Sequence, residues 1–190
     1  MLSFLLLDPL ADCASRFISA NRFDLHRRLG MLGFGLACGM VVVGVMAATD
    51  SMTRIKMIGP FDARTFYAVP MFDILVFAVL IFFAYRYRHD PTTHKRLILI
   101  ASITIVDAAT GRDPLTKITQ LPYLNNVFTQ LYTVVLAGFD LWSLKRIHRA
   151  TWMAGLFSIV LLLIAIPVGM TAPWMAFANW MLGIAKSLKG

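Results

Sequence analysis

The stretch Leu29–Ala48, LGMLGFGLACGMVVVGVMAA, is twenty residues without a charge. At about 1.5 Å of rise per residue, a helix of that length matches a hydrocarbon core of roughly 30 Å. The stretch is also rich in glycine, with Gly30, Gly33, Gly35, Gly39 and Gly44. Gly35 and Gly39 make a GxxxG pair, and Gly44 with Ala48 repeats the spacing. In lipid, small residues let helix backbones approach closely, so Gly35, Gly39 and Gly44 predict a packing face on a central transmembrane helix.

Working outward from it, further apolar stretches follow at regular intervals. The next spans are expected over about 67–87, 94–111 and 121–142, each with few charges. Residues 150–185 then form 36 positions without a charge, too long for one span. Pro167, Gly169 and Pro173 near the middle predict a break there. The segment from Trp174 to Ala185 is apolar almost all round, which favours a sixth short span over a surface helix. The fold class expected is therefore all-α: a polytopic transmembrane bundle of five or six short spans. The domain division is an N-terminal arm over 1–25 and one bundle over 26–190. Within the arm, Asp8-Pro9 supplies an N-cap and a first-turn proline. Leu10, Cys13, Ala14, Phe17 and Ile18 then recur at helical spacing. That pattern reads equally as an amphipathic interfacial helix or as a packed arm. Met1–Leu7 is short, lacks a basic flank and is interrupted by Asp8-Pro9, so the N-terminus reads as retained.

Composition agrees. Of 190 residues, 58% are hydrophobic and only 15% charged, against about 25% charged in a soluble domain. The net charge of +8 sits in clusters beside apolar stretches, which points to membrane orientation and anionic lipid rather than nucleic acid. Cys13 and Cys38 form no CxxC pair, which argues against a disulfide framework or a thiolate zinc cluster.

The positive-inside rule orients the chain. With the N-terminus inside, inner segments hold eleven Lys and Arg (Arg16 through Arg149) and outer loops hold five: Arg54, Lys56, Arg64, Arg112 and Lys117. A sixth span would bring Lys186 and Lys189 inside and make the inner count thirteen. The expected location is a bacterial inner membrane, multi-pass, with the N-terminus cytoplasmic.

In this topology His26, His89, His94 and His148 all face the cytoplasm. Three of them open spans: His26-Arg27-Arg28-Leu29, His94-Lys95-Arg96-Leu97 and, more loosely, His148-Arg149-Ala150. Imidazole offers a metal or haem ligand or a proton carrier near neutral pH. His26, His94 and His148 with Asp140, about two turns before His148, would suit a divalent metal. Two histidines alone would suit haem b. The same openings allow an anionic lipid or phosphate to sit on Arg27, Arg28, Lys95, Arg96 and Arg149 at helix ends. They are also compatible with plain interface anchors. Asp73, Asp107 and Asp140 form a second set of intramembrane carboxylates, with Asp107 best read as a polar cap near the outer end.

The openings His26-Arg27-Arg28-Leu29-Gly30 and His94-Lys95-Arg96-Leu97 resemble motifs in small, largely uncharacterised bacterial membrane proteins with histidine at helix ends. Some of these are grouped with b-type cytochromes or with oxidase-assembly proteins. The resemblance implies a redox-related membrane protein with haem b or a divalent metal.

The chain holds no GxSxG, P-loop, HExxH or GxGxxG, so an enzyme is not the expectation. Two functions remain: a histidine-lined metal or haem protein, and a non-catalytic accessory subunit or lipid-binding membrane protein. Expected partners are the bilayer, anionic headgroups and other membrane subunits, without nucleic acid.

Overall fold

The computed structural model describes residues 23–58, 60–110 and 124–187, with the backbone alone for 23–25, 106–110 and 124–129. The N-terminal arm, the loop bearing Arg112 and Lys117, the Asp107 side chain and Lys189 lie outside what is described. Among the described residues the elements run α1 (Phe23–Arg54), β1 (Met57–Ile58), β2 (Phe61–Asp62), α2 (Ala63–Phe66), α3 (Ala68–Arg86), α4 (Pro91–Thr110), α5 (Leu124–Leu144), α6 (Arg149–Gly169) and α7 (Ala172–Ser187). The chain divides into two compact units, Met1–Gly39 and Met40–Gly190.

Three helices are long and apolar enough to cross a membrane: His26–Arg54, Ala63–Arg86 and Arg149–Gly169. In each, most of the apolar surface faces outward rather than into the protein, as lipid requires of a spanning helix.

In the second unit, α6 is where the helices meet. It touches α2, α3, α4, α5 and α7. Its inward positions are small: Thr151, Ala154, Gly155, Ser158, Ala165 and Gly169. Helices α3 and α4, which both touch α6, bury Val76, Phe77, Leu80 and Ala84 and the stripe Leu97, Ile100, Ala101 and Thr104. Within the second unit, a small-residue packing face lies on α6. On α1, a Cβ added at Gly35 or Gly39 would meet nothing within 4 Å, whereas one at Gly44 would lie 3.2 Å from Ile74.

Local chemistry places the helix ends. Asp90 N-caps α4. Its carboxylate accepts from the backbone N–H of Thr92 (3.1 Å) and Thr93 (3.3 Å) and from both hydroxyls at 2.6 Å. Pro91 takes the first helical position, where no N–H is needed. The helix therefore starts a turn before His94, and His94 does not open it. The break foreseen near Pro167 falls at Met170 and Thr171, between α6 and α7.

The segment between α1 and α3, read from sequence as a plain outer loop, is structured. Strands β1 and β2 pair antiparallel, Met57 with Asp62 and Ile58 with Phe61. Asp62 then caps α2 by accepting from the Arg64 N–H at 2.8 Å. Helix α7 packs on this same end. Trp174, Phe177, Ala178, Met181 and Leu182 gather on Met52, Ala63 and Tyr67. The indole N–H of Trp174 donates to the Arg64 carbonyl, and the Arg64 guanidinium reaches Asn179 at 3.1 Å. From Trp174 to Leu182, more than two turns, α7 packs on this cluster. Its exposed side carries Ala176, Gly183 and Ile184 together with Asn179, Trp180 and, at the C-terminal end, Lys186 and Ser187, so it is largely apolar with a polar end.

Candidate functional site

At the opposite end of this unit, α3 ends, α4 begins, α5 ends and α6 begins. Asp140 sits there, fully buried. Its carboxylate accepts from Arg96 Nη2 at 2.6 Å and from Arg96 Nε at 3.1 and 3.2 Å. It also accepts from the Thr151 hydroxyl at 2.6 Å and the His148 backbone N–H at 3.1 Å. The guanidinium gives Nη1 to the Thr92 carbonyl at 3.0 Å. One carboxylate thus ties α4, α5 and α6 together. A buried carboxylate needs such partners, since desolvation without them costs several kcal/mol.

The α5–α6 turn is folded around this point. Lys145 adopts φ 59°, the left-handed conformation that usually falls to glycine at a helix C-terminus. Three residues later His148 N-caps α6, its Nδ1 accepting from the Ala150 N–H at 3.2 Å. Neutral His148 therefore carries its proton on Nε2, and its one lone pair is spent on the cap.

His94 has the opposite tautomer. Its Nδ1 lies 2.8 Å from the Ala84 carbonyl, which can only accept, so Nδ1 donates. It closes a backbone carbonyl in the last turn of α3. The lone pair of neutral His94 is on Nε2, in the orientation that a backbone carbonyl commonly gives a ligating histidine.

Of the residues singled out from the sequence, the structure brings Asp140, Arg96 and the His148 backbone together. Arg96, assigned from sequence to an anion, is held by Asp140. The N-termini of α4 and α6, where a phosphate was expected, are capped by Asp90 and by His148 with Asp140. His26, Arg27 and Arg28 are exposed on α1. Among the described residues, no three His, Cys, Asp or Glu side chains are grouped so as to hold a metal ion. Lys95 and Arg149 are exposed, as are Arg86, Arg88, Lys145 and Arg146 at the same end.

The end bearing the hairpin is different. There Arg54 pairs with Asp50 four residues earlier, and Arg64 pairs with Asp62 at 2.8 Å. Hydrogen bonds from Arg64 hold the Asp62 carboxyl below its usual range, at about 2. Sequence reasoning missed the Arg96–Asp140 pair. The one available signal was an acidic residue near the end of one apolar stretch and a basic residue near the start of another.

No protein-family model, no curated protein and no solved structure matches this chain.

Proposed function

We propose that this chain is a multi-pass protein of a bacterial inner membrane, with its N-terminus cytoplasmic, acting as a non-catalytic accessory subunit. The spans are α1, α3, α4, α5 and α6, and α7 lies in the outer interface. One observation carries the orientation: the contrast in charge between the two ends of the second unit. The end with Arg86, Arg88, Lys95, Lys145, Arg146 and Arg149 exposes its cations, while its two acids, Asp90 and Asp140, are turned inward onto donors. The hairpin end pairs Arg54 and Arg64 with acids and exposes Lys56. Excess exposed Lys and Arg mark the cytoplasmic side.

Five spans are favoured over six because α7 has 16 residues, about 24 Å of helix, and keeps its packed face on the hairpin end. Reporter fusions test this. A reporter at Lys145 should read cytoplasmic, and one after Ser187 should read periplasmic. A cytoplasmic signal after Ser187 would mean six spans, and a periplasmic signal at Lys145 would overturn the orientation. The accessory role is tested by native purification in mild detergent. Recovery of the chain alone, with neither a partner subunit nor bound lipid, counts against it.

A second reading, a haem or metal ligand, rests on His94, whose Nδ1–H bond to Ala84 leaves Nε2 as a lone pair. A purified protein with a visible haem spectrum or stoichiometric metal, lost in His94→Ala, would support it. A colourless, metal-free protein would remove it.

A further inference from the structure

We infer that the end formed by the α3–α4 and α5–α6 turns is a recognition surface for anionic lipid headgroups, an inference that rests on the membrane orientation proposed above. Six cations stand exposed there: Arg86, Arg88, Lys95, Lys145, Arg146 and Arg149. The Asp90 carboxylate is closed by Thr92 and Thr93, and the Asp140 carboxylate by Arg96, Thr151 and His148. Neither acid is left to neutralise the exposed cations, so among the described residues of this end six positive charges stand unbalanced, as anionic headgroups would require.

A second observation identifies their source. Next to the cations is a band of exposed aromatic side chains: Phe82, Phe83 and Tyr85 on α3, Tyr87 at its C-cap, Trp142 on α5 and Trp152 on α6. Trp142 is 74% exposed. Amphipathic rings beside cations are what a bilayer interface selects, with the ring at headgroup level and the cation just beyond it. A soluble acidic protein would account for the cations alone. The capped helix ends exclude a phosphate seated on backbone N–H groups, so the contact is made by side chains reaching to headgroup phosphates.

The test uses the full chain in micelles carrying phosphatidylcholine, with or without phosphatidylglycerol, and reads the lipid retained on the protein by native mass spectrometry. Phosphatidylglycerol should be retained preferentially. Each cation removed should weaken that preference by roughly fivefold, the equivalent of about 1 kcal/mol per charge. The triple variant Lys145→Gln/Arg146→Gln/Arg149→Gln should lose most of it, and about 0.5 M salt should weaken it in the parent. Arg54→Gln, at the ion-paired end, should leave it unchanged. Equal retention of the two lipids overturns the inference, and so does an equal loss in Arg54→Gln. Displacement of phosphatidylglycerol by millimolar inorganic phosphate would reassign the surface to free phosphate. Retention of an acidic protein in place of lipid would reassign it to that partner. The reporter at Lys145 separates the two levels. A periplasmic signal there defeats the orientation, whereas a cytoplasmic signal without lipid preference defeats the headgroup surface alone.

Discussion

Arg96 and Asp140, 44 positions apart on α4 and α5, meet at 2.6 Å with side chains only 15% and 0% exposed. A pair so placed is more costly to break than to replace. Removing one partner leaves the other buried without its counter-charge, whereas two apolar side chains of similar volume need no partner. Arg96→Met or Asp140→Leu alone should destabilise the protein by about 3 kcal/mol. The double variant should recover most of that loss. Thr151→Val, which removes one donor to the same carboxylate, should cost about 1–2 kcal/mol. Thermal unfolding in detergent checks all four. Single variants as stable as the parent would show that the pair is not closed in the membrane.

Close approach of helices predicts a graded glycine series. A Cβ at Gly169 would collide with the Thr65 carbonyl oxygen, a backbone atom that cannot rotate away. At Gly155 it would lie 2.9 Å from a methyl of Thr133. Gly169→Ala should therefore destabilise by about 3 kcal/mol and Gly155→Ala by about 1–2, within the range for overpacking. Thr133→Ser should relieve the second and not the first. Gly35→Ala and Gly39→Ala, which meet open space, should leave the melting temperature of the isolated chain unchanged. A fall in Tm for either would place a neighbour on that face.

Lys145 offers the reverse case. Its φ of 59° strains any side chain, and glycine would remove the strain. Lys145→Gly should stabilise by about 1 kcal/mol, less the greater freedom glycine gains in the unfolded chain. Lys145→Ala, which keeps the Cβ, should not. Equal effects of the two would assign the change to the lost charge instead.

Acid should act on the caps. Hydrogen bonds from Thr92 and Thr93 hold the Asp90 carboxyl well below the usual carboxylate range, and Arg64 holds that of Asp62 at about 2. A carboxylate depressed in the folded state contributes stability above its unfolded value, 3.8 here, and loses it as pH falls toward the folded one. Between pH 4 and pH 2, in roughly that order, Tm should fall for the parent. Asp90→Asn and Asp62→Asn should start lower at neutral pH and show a shallower fall. Parallel curves for parent and variants would exclude these two groups as the source. Both carboxylates are half-buried at helix starts beside solvent, so the effect is a slope and not a collapse.

Legibility from sequence followed the range of the interaction. The apolar lengths of α1, α3 and α6, and the break between α6 and α7, are written in consecutive residues. The α4 boundary was legible in Asp90-Pro91 by the same capping logic as Asp8-Pro9. The basic run His94-Lys95-Arg96 drew the reading one turn too late. Arg96 with Asp140 could not be read locally, because periodicity says which face a residue occupies and not what stands opposite. The histidines show the same limit. Their spacing suggested a common centre, while their roles come from single hydrogen bonds, to Ala84 for His94 and to Ala150 for His148. Which side of α7 is turned out could not be read locally either, because a segment apolar almost all round has no polar face to mark it, and only packing on Met52, Ala63 and Tyr67 shows it.

The contact between Gly169 and Thr65 also bears on descent. Most positions in this bundle can drift among Leu, Ile, Val and Phe, because lipid accepts them all. Position 169 cannot, since the obstacle to any side chain there is the main chain of α2. Two chains that share this fold can therefore differ at nearly every apolar residue and still keep a bare Cα where α6 passes α2. Distant kinship would be traced better from that position, and from Arg and Asp kept or exchanged together at 96 and 140, than from overall likeness.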